Sequence, residues 1–106
     1  MIKEMTPAEF VARAADEPAP LLLDVREAWE LAIAAVEGAT HMPMDEVPDR
    51  LGELTPERDI VVLCRSGVRS AQVARFLEQR GFDRVWNLAG GILEWSAQVD
   101  PSVPPY

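Results

Sequence analysis

Two short runs in this chain contain no polar residue: Leu21-Leu22-Leu23 and Ile60-Val61-Val62-Leu63. A strand with one wet face alternates apolar and polar residues. A run that is apolar at every position predicts a strand covered on both faces. Helices must supply that cover, and the segments around the two runs have helical patterns. Thr6-Pro7-Ala8-Glu9 reads as a helix start, with Thr6 as N-cap, Pro7 in the first turn and Glu9 closing a capping box. This helix is expected to run to about Ala15 and to end before Pro18. Trp29, Leu31 and Ile33 mark a short helix or turn, and Asp45 to Leu54 a short helix interrupted or delayed by Pro48. From about Ser70, the residues Val73, Ala74 and Leu77 form an apolar stripe with Phe76 at its border, and Gly81 fits the C-terminal cap. Ala39 to Met42 and Arg84 to Leu88 read as further strands. Ala89-Gly90-Gly91 then turns into a last helix around Ile92 to Gln98, followed by an irregular tail with three prolines. Strands alternating with helices imply an α/β domain with a mainly parallel sheet.

The chain has 106 residues, which suits one domain over residues 1–106 with a single core. A lone cysteine rules out an internal disulfide or a Cys-x-x-Cys couple, and one cysteine with one histidine cannot build a usual zinc site. No metal and no cofactor is expected. The apolar stretches fall far short of the ~20 residues that span a bilayer. No apolar segment of signal-peptide type follows Lys3 and Glu4, so a soluble cytoplasmic protein is expected.

A net charge of −8 argues against nucleic acid or an anionic membrane as partner. From Arg58 to Arg84, however, six arginines face only Asp59, Glu78 and Asp83, a local balance of +3 that leaves −11 for the rest. This basic island surrounds the lone thiol, which points to a small anionic substrate. Arg75, Arg80 and Arg84 read as helix-surface charges, and Arg65 and Arg69 as functional.

In parallel α/β sheets, ligands bind beyond the carboxyl ends of the strands. Asp24 and Cys64 each follow one of the two apolar runs, so parallel strands would bring them to one sheet edge. Cys64 opens the segment Cys64-Arg65-Ser66-Gly67-Val68-Arg69-Ser70, between a strand and a helix start. Amides at a helix N-terminus and two guanidinium groups favour the thiolate, which is the nucleophilic form. Asp24-x-Arg26 reads as structural support, a buried Asp–Arg contact that orients the loop. His41 reads as a partly buried loop residue without a catalytic role. Trp29, Trp86 and Trp95 are expected in the core.

The segment from Cys64 to Ser70 resembles the active-site loop of the rhodanese family of sulfurtransferases. Leu22-Leu23-Asp24-Val25-Arg26-Glu27 is similar to the family's first signature, and Gly38-Ala39 with His41-Met42-Pro43 to its second. Gly81-Phe82, Asn87-Leu88, Gly90-Gly91-Ile92 and Trp95 resemble its closing segment, so the resemblance covers residues 2–106. Ala34-Ala35-Val36-Glu37 departs from the Gly-His-Ile-Pro run of many members, which bears on a loop conformation more than on chemistry. The resemblance implies a small, mainly parallel five-stranded sheet flanked by helices.

The resemblance also implies transfer of a sulfane sulfur from thiosulfate or a related donor to a thiol or cyanide, through a Cys64 persulfide. This is covalent catalysis in two half-reactions. Amides from Arg65 through Ser66, Gly67 and Val68 to Ser70 would cradle the sulfur species, and Arg65 and Arg69 would hold the donor's sulfonate oxygens. Cysteine phosphatases and arsenate reductases, a less favoured reading, use a Cys-x5-Arg loop. Cys64 to Arg69 is one residue shorter, and a tighter ring suits one added sulfur better than a phosphoryl group. A further alternative is a persulfide carrier or docking module that serves a partner protein.

Overall fold

A computed structural model describes residues 2–106. Five strands form one sheet: β1 (Lys3–Met5), β2 (Leu21–Asp24), β3 (Thr40–His41), β4 (Ile60–Leu63) and β5 (Val85–Leu88). Their order is β1-β5-β4-β2-β3, and every neighbouring pair is parallel. Among the described residues, four α-helices flank them: α1 (Pro7–Ala12), α2 (Ala28–Ile33) and α3 (Val68–Gln79) between strands, and α4 (Gly91–Gln98) after β5.

The apolar runs are central strands with both faces covered, as expected. On β4, Ile60 and Val62, followed by Cys64, join Leu23, Val73, Ala74 and Leu77 on one side of the sheet. Val61 and Leu63 join Leu22, Ile92 and Trp95 on the other. β2 and β4 are neighbours in register, with Leu21 opposite Ile60 and Asp24 opposite Leu63. Asp24 and Cys64 therefore share the carboxyl edge of the sheet. Cys64 also inherits the side on which α3 packs, which puts its sulfur beneath the start of that helix.

Several local expectations are revised. The capping box of Thr6 and Glu9 is present, but α1 ends at Ala12. Its last hydrogen bonds tighten to i→i−3, and Arg13 turns across to pair with Asp59. Residues 45–54 form no single α-helix. Two 3-10 segments, Met44–Glu46 and Pro48–Glu53, meet where Pro48 has no N–H to continue the first. The edge strand β1, unread in the sequence, pairs Lys3 with Trp86 and Met5 with Leu88. Trp95 is buried against Phe10 and Trp86 is half-buried under Lys3, but Trp29 is 63% exposed. The face that α2 turns inward carries Glu30 instead, with 2% exposure. Among the described residues, no helix is long and apolar enough to cross a membrane.

Candidate active site

β4 ends at Leu63, and α3 begins at Val68, two residues earlier than the sequence pattern suggests. Gly67 makes this early start possible. It is the N-cap residue, with φ of +106°, a conformation that a side chain would strain. Its N–H donates to Cys64 Sγ at 3.0 Å, and the Ser70 hydroxyl lies 3.2 Å from the same sulfur. Cys64 itself is 1% exposed.

The backbone before Gly67 is fixed from the opposite direction. The N–H groups of Ile92 and Leu93, at the start of α4, donate to the carbonyls of Cys64 (2.9 Å) and Arg65 (3.2 Å). In a trans peptide, C=O and N–H point opposite ways. Tying these carbonyls to α4 therefore turns the N–H groups of Arg65 and Ser66 away from it. Gly91 lies so close that a Cβ there would collide with both carbonyls. A turn toward the last helix, packed near the loop, is thus what Gly90-Gly91 provides.

Burial pushes the pKa of the Cys64 thiol up. The Ser70 hydroxyl and the amides of Ser70, Gly67 and Ser66 outweigh it, so the net shift is below the ordinary cysteine value. The source of activation differs from the sequence-based expectation. It is short-range hydrogen bonding, and the guanidinium groups are engaged elsewhere. Arg69 makes a two-pronged pair with Glu30, 2.7 Å on each side. Arg65 donates from Nε to the backbone oxygen of Tyr106. Nor do the six arginines form one patch. Arg58 bonds to Ala19 and Arg84 to Asp59, at the amino ends of β2 and β4.

The fork from Arg69 lowers the pKa of Glu30 to about 2, against the opposing effect of burial. A carboxylate depressed in the folded state stabilises the fold above its unfolded pKa, and that contribution is lost as pH falls toward the folded one. We therefore expect stability to drop from about pH 4.5 toward about 2. Urea melts across this range should show the drop shrink in Glu30→Gln. An unchanged pH dependence in that variant would assign the acid transition to other groups.

Asp24 and Arg26 make the anticipated buried contact, with Arg26 Nη2 2.7 Å and Nε 2.9 Å from the Asp24 oxygens. Arg26 Nη1 also donates to the Tyr106 hydroxyl, which in turn donates to Glu30. Asp24, Arg26, Tyr106, Glu30 and Arg69 thus form one chain of contacts from β2 to α3. His41 closes against the backbone oxygen of Arg26 at 2.7 Å. Ser66 and Val68 expose their side chains and contribute backbone alone.

The family model of the rhodanese-like domain fits residues 6–98. The chain belongs to the rhodanese-like domain family. A protein of Allochromatium vinosum named sulfurtransferase is 39% identical over 105 residues, 99% of this chain and 98% of that protein. The Arabidopsis thaliana rhodanese-like/PpiC domain-containing protein 12 is 45% identical over 89 residues, 80% of this chain but 30% of that protein. Among solved structures, a Staphylococcus aureus rhodanese-like domain protein superposes with a TM-score of 0.82 at 32% identity, covering 89% of this chain and 91% of its own. The five-stranded parallel sheet is thus the rhodanese-like fold, and these relatives support sulfur transfer as the general chemistry.

Three residues of the site have no role in the sequence reading: Glu30, Asn87 and Tyr106, with Asn87 present there only as part of the closing segment. Each acts across the fold, at separations of 39, 17 and 41 positions from Arg69, Ser70 and Arg65. The one local signal was the pairing of Glu27 with Glu30 at capping-box spacing, which marks a helix start and says nothing about Arg69.

Proposed function

We propose that this rhodanese-like protein transfers a sulfane sulfur through Cys64, with thiosulfate as a small-molecule donor. The thiolate attacks the outer sulfur, an S–S bond forms as the donor's S–S bond breaks, and sulfite leaves with the electron pair. A thiol or cyanide acceptor then takes the outer sulfur and restores the Cys64 thiolate. Sulfite leaves readily as an anion, so no general acid is required.

The convergence of the Gly67 N–H and the Ser70 hydroxyl on Cys64 Sγ carries this reading. Both donors favour negative charge on sulfur in the thiolate, and the loop amides can do the same for the persulfide. Arg65 is exposed and bound to the tail by one hydrogen bond, so it is the arginine best able to turn toward a donor's sulfonate. Arg69, forked on Glu30, serves to hold the loop to α2.

Incubation with thiosulfate alone should leave the protein heavier by one sulfur atom. The reason is the lone cysteine: no second thiol can resolve the persulfide internally. Cyanide should then restore the mass and release thiocyanate, a reversal that irreversible oxidation does not permit. Sulfite release with no mass change would sink the two-step mechanism.

A second reading, a persulfide carrier serving a partner protein, draws on Trp29 and Val68. They are 63% and 66% exposed, and each adjoins one member of the Glu30–Arg69 pair in sequence. Large exposed apolar side chains beside a reactive loop suit a protein surface better than a small ion. Rapid turnover with small donors and acceptors favours the enzyme, and turnover that needs a protein partner favours the carrier.

A further inference from the structure

The Ser70 hydroxyl faces two acceptors and has one proton. Its oxygen lies 3.2 Å from Cys64 Sγ and 2.5 Å from Asn87 Oδ1. Ser70 is fully buried and Asn87 is 2% exposed, so water cannot easily supply a second donor. Asn87 cannot relieve the conflict by flipping its amide. Its Nδ2 donates to Glu4 Oε2 on β1 (2.9 Å) and to the Gly67 carbonyl (3.1 Å). A flipped amide would set its oxygen against a carboxylate and a carbonyl, two acceptors facing a third. The orientation that presents Oδ1 to Ser70 is therefore locked by two strands and the loop.

We propose that Asn87 is a positioning residue for the sulfur chemistry, acting through Ser70 by competing with Cys64 for the one hydroxyl proton. This rests on Cys64 as the reacting thiol. In the thiol state all three groups are satisfied: S–H donates to the Ser70 oxygen, and Ser70 donates to Asn87. When the sulfur becomes anionic, the hydroxyl turns to it, and Asn87 Oδ1 is left facing the Ser70 oxygen without a proton between them. Asn87 thus holds the serine in place and at the same time restrains ionisation, so that the thiolate is less favoured than the amide cradle alone would make it.

The other charged groups around Cys64 each have a hydrogen-bond partner. Arg69 on α3 is paired with Glu30 on α2, Arg65 is held by Tyr106 of the tail, and Arg26 is paired with Asp24 of β2. Glu4 of β1 lies behind the Asn87 amide.

The test is a titration of Cys64 by thiolate ultraviolet absorbance, with Cys64→Ser as the blank, in a double-mutant cycle of Asn87→Ala and Ser70→Ala. No sulfur donor is involved, so the outcome stands whether or not thiosulfate proves to be the substrate. With Ser70 present, Asn87→Ala should lower the midpoint and raise the thiolate fraction below it by about threefold or more, the size of one hydrogen bond. In the Ser70→Ala background the same change should leave the midpoint unmoved. Asn87→Val, which suits a strand and offers Ser70 no acceptor, should repeat the pattern and covers the case in which the alanine variant folds poorly. A raised or unchanged midpoint with Ser70 present would overturn the proposal. So would an equal shift in both backgrounds, which would assign Asn87 to holding the Gly67 carbonyl.

Discussion

Replacing Cys64 with serine should cut sulfur transfer by at least about a thousandfold while leaving the fold in place, because no other group on the chain can take over as nucleophile. The side chain is buried in the cluster formed by β2, β4 and α3, and serine nearly matches its size. The added hydroxyl meets the Gly67 N–H and the Ser70 hydroxyl, so it is not left unpaired. An alcohol in the same place is protonated at any pH the protein tolerates and forms no persulfide. Among the described residues there is no second thiol to substitute for it. The measurement is steady-state turnover alongside a thermal melt. A folded Cys64→Ser protein that retains more than a trace of turnover would remove the central claim.

The second large effect is expected far from Cys64 in sequence. Gly91→Ala adds a Cβ that collides with the carbonyls of Cys64 and Arg65. Neither is the end of a flexible side chain, so the loop or the start of α4 must move. Movement breaks the bonds from Ile92 and Leu93 that turn the loop amides outward. We expect a stability loss of about 2–4 kcal/mol and a fall in turnover of at least about tenfold. Gly38→Ala is the matched control. Its φ is also positive, at +86°, yet nothing lies within 4 Å of the added Cβ. It should cost only the backbone strain of about 1–2 kcal/mol and leave turnover unchanged. Wild-type turnover in Gly91→Ala would mean that the loop does not need its anchor on α4.

The elements legible in the sequence are those whose cause is local. Leu21 to Leu23 and Ile60 to Leu63 are apolar at every position because each strand is covered twice, and the Thr6–Glu9 box is a contact within one turn. The loop could be read for the same reason, since Cys64, Gly67 and Ser70 act on one another within seven residues. β1 could not. Only Met5 of its three residues is buried, so it shows no periodicity until β5 lies beside it. Trp29 was misplaced because apolar character in a short helix does not say which face turns inward. Here the Arg69 pair turns Glu30 inward. Arg65 and Arg69 read as anion ligands because charge is visible in a sequence and the partner that neutralises it is not.

That neutralisation has a kinetic consequence. Around the loop, Arg26, Arg65 and Arg69 stand against Glu4, Asp24 and Glu30, so the charges there balance on a chain whose net charge is −8. An anion diffusing toward the mouth meets no strong attractive field at the range of a Debye length, about 8–10 Å. Collisions with this protein are therefore weakly steered, and an anion is recognised only after it arrives, by Arg65 and by amide dipoles that act over a single hydrogen bond. Such a site filters by shape at contact. It discriminates through how long an encounter lasts rather than how often one occurs, and the many sulfate and phosphate ions of a living cell would pass it by without queuing at the entrance.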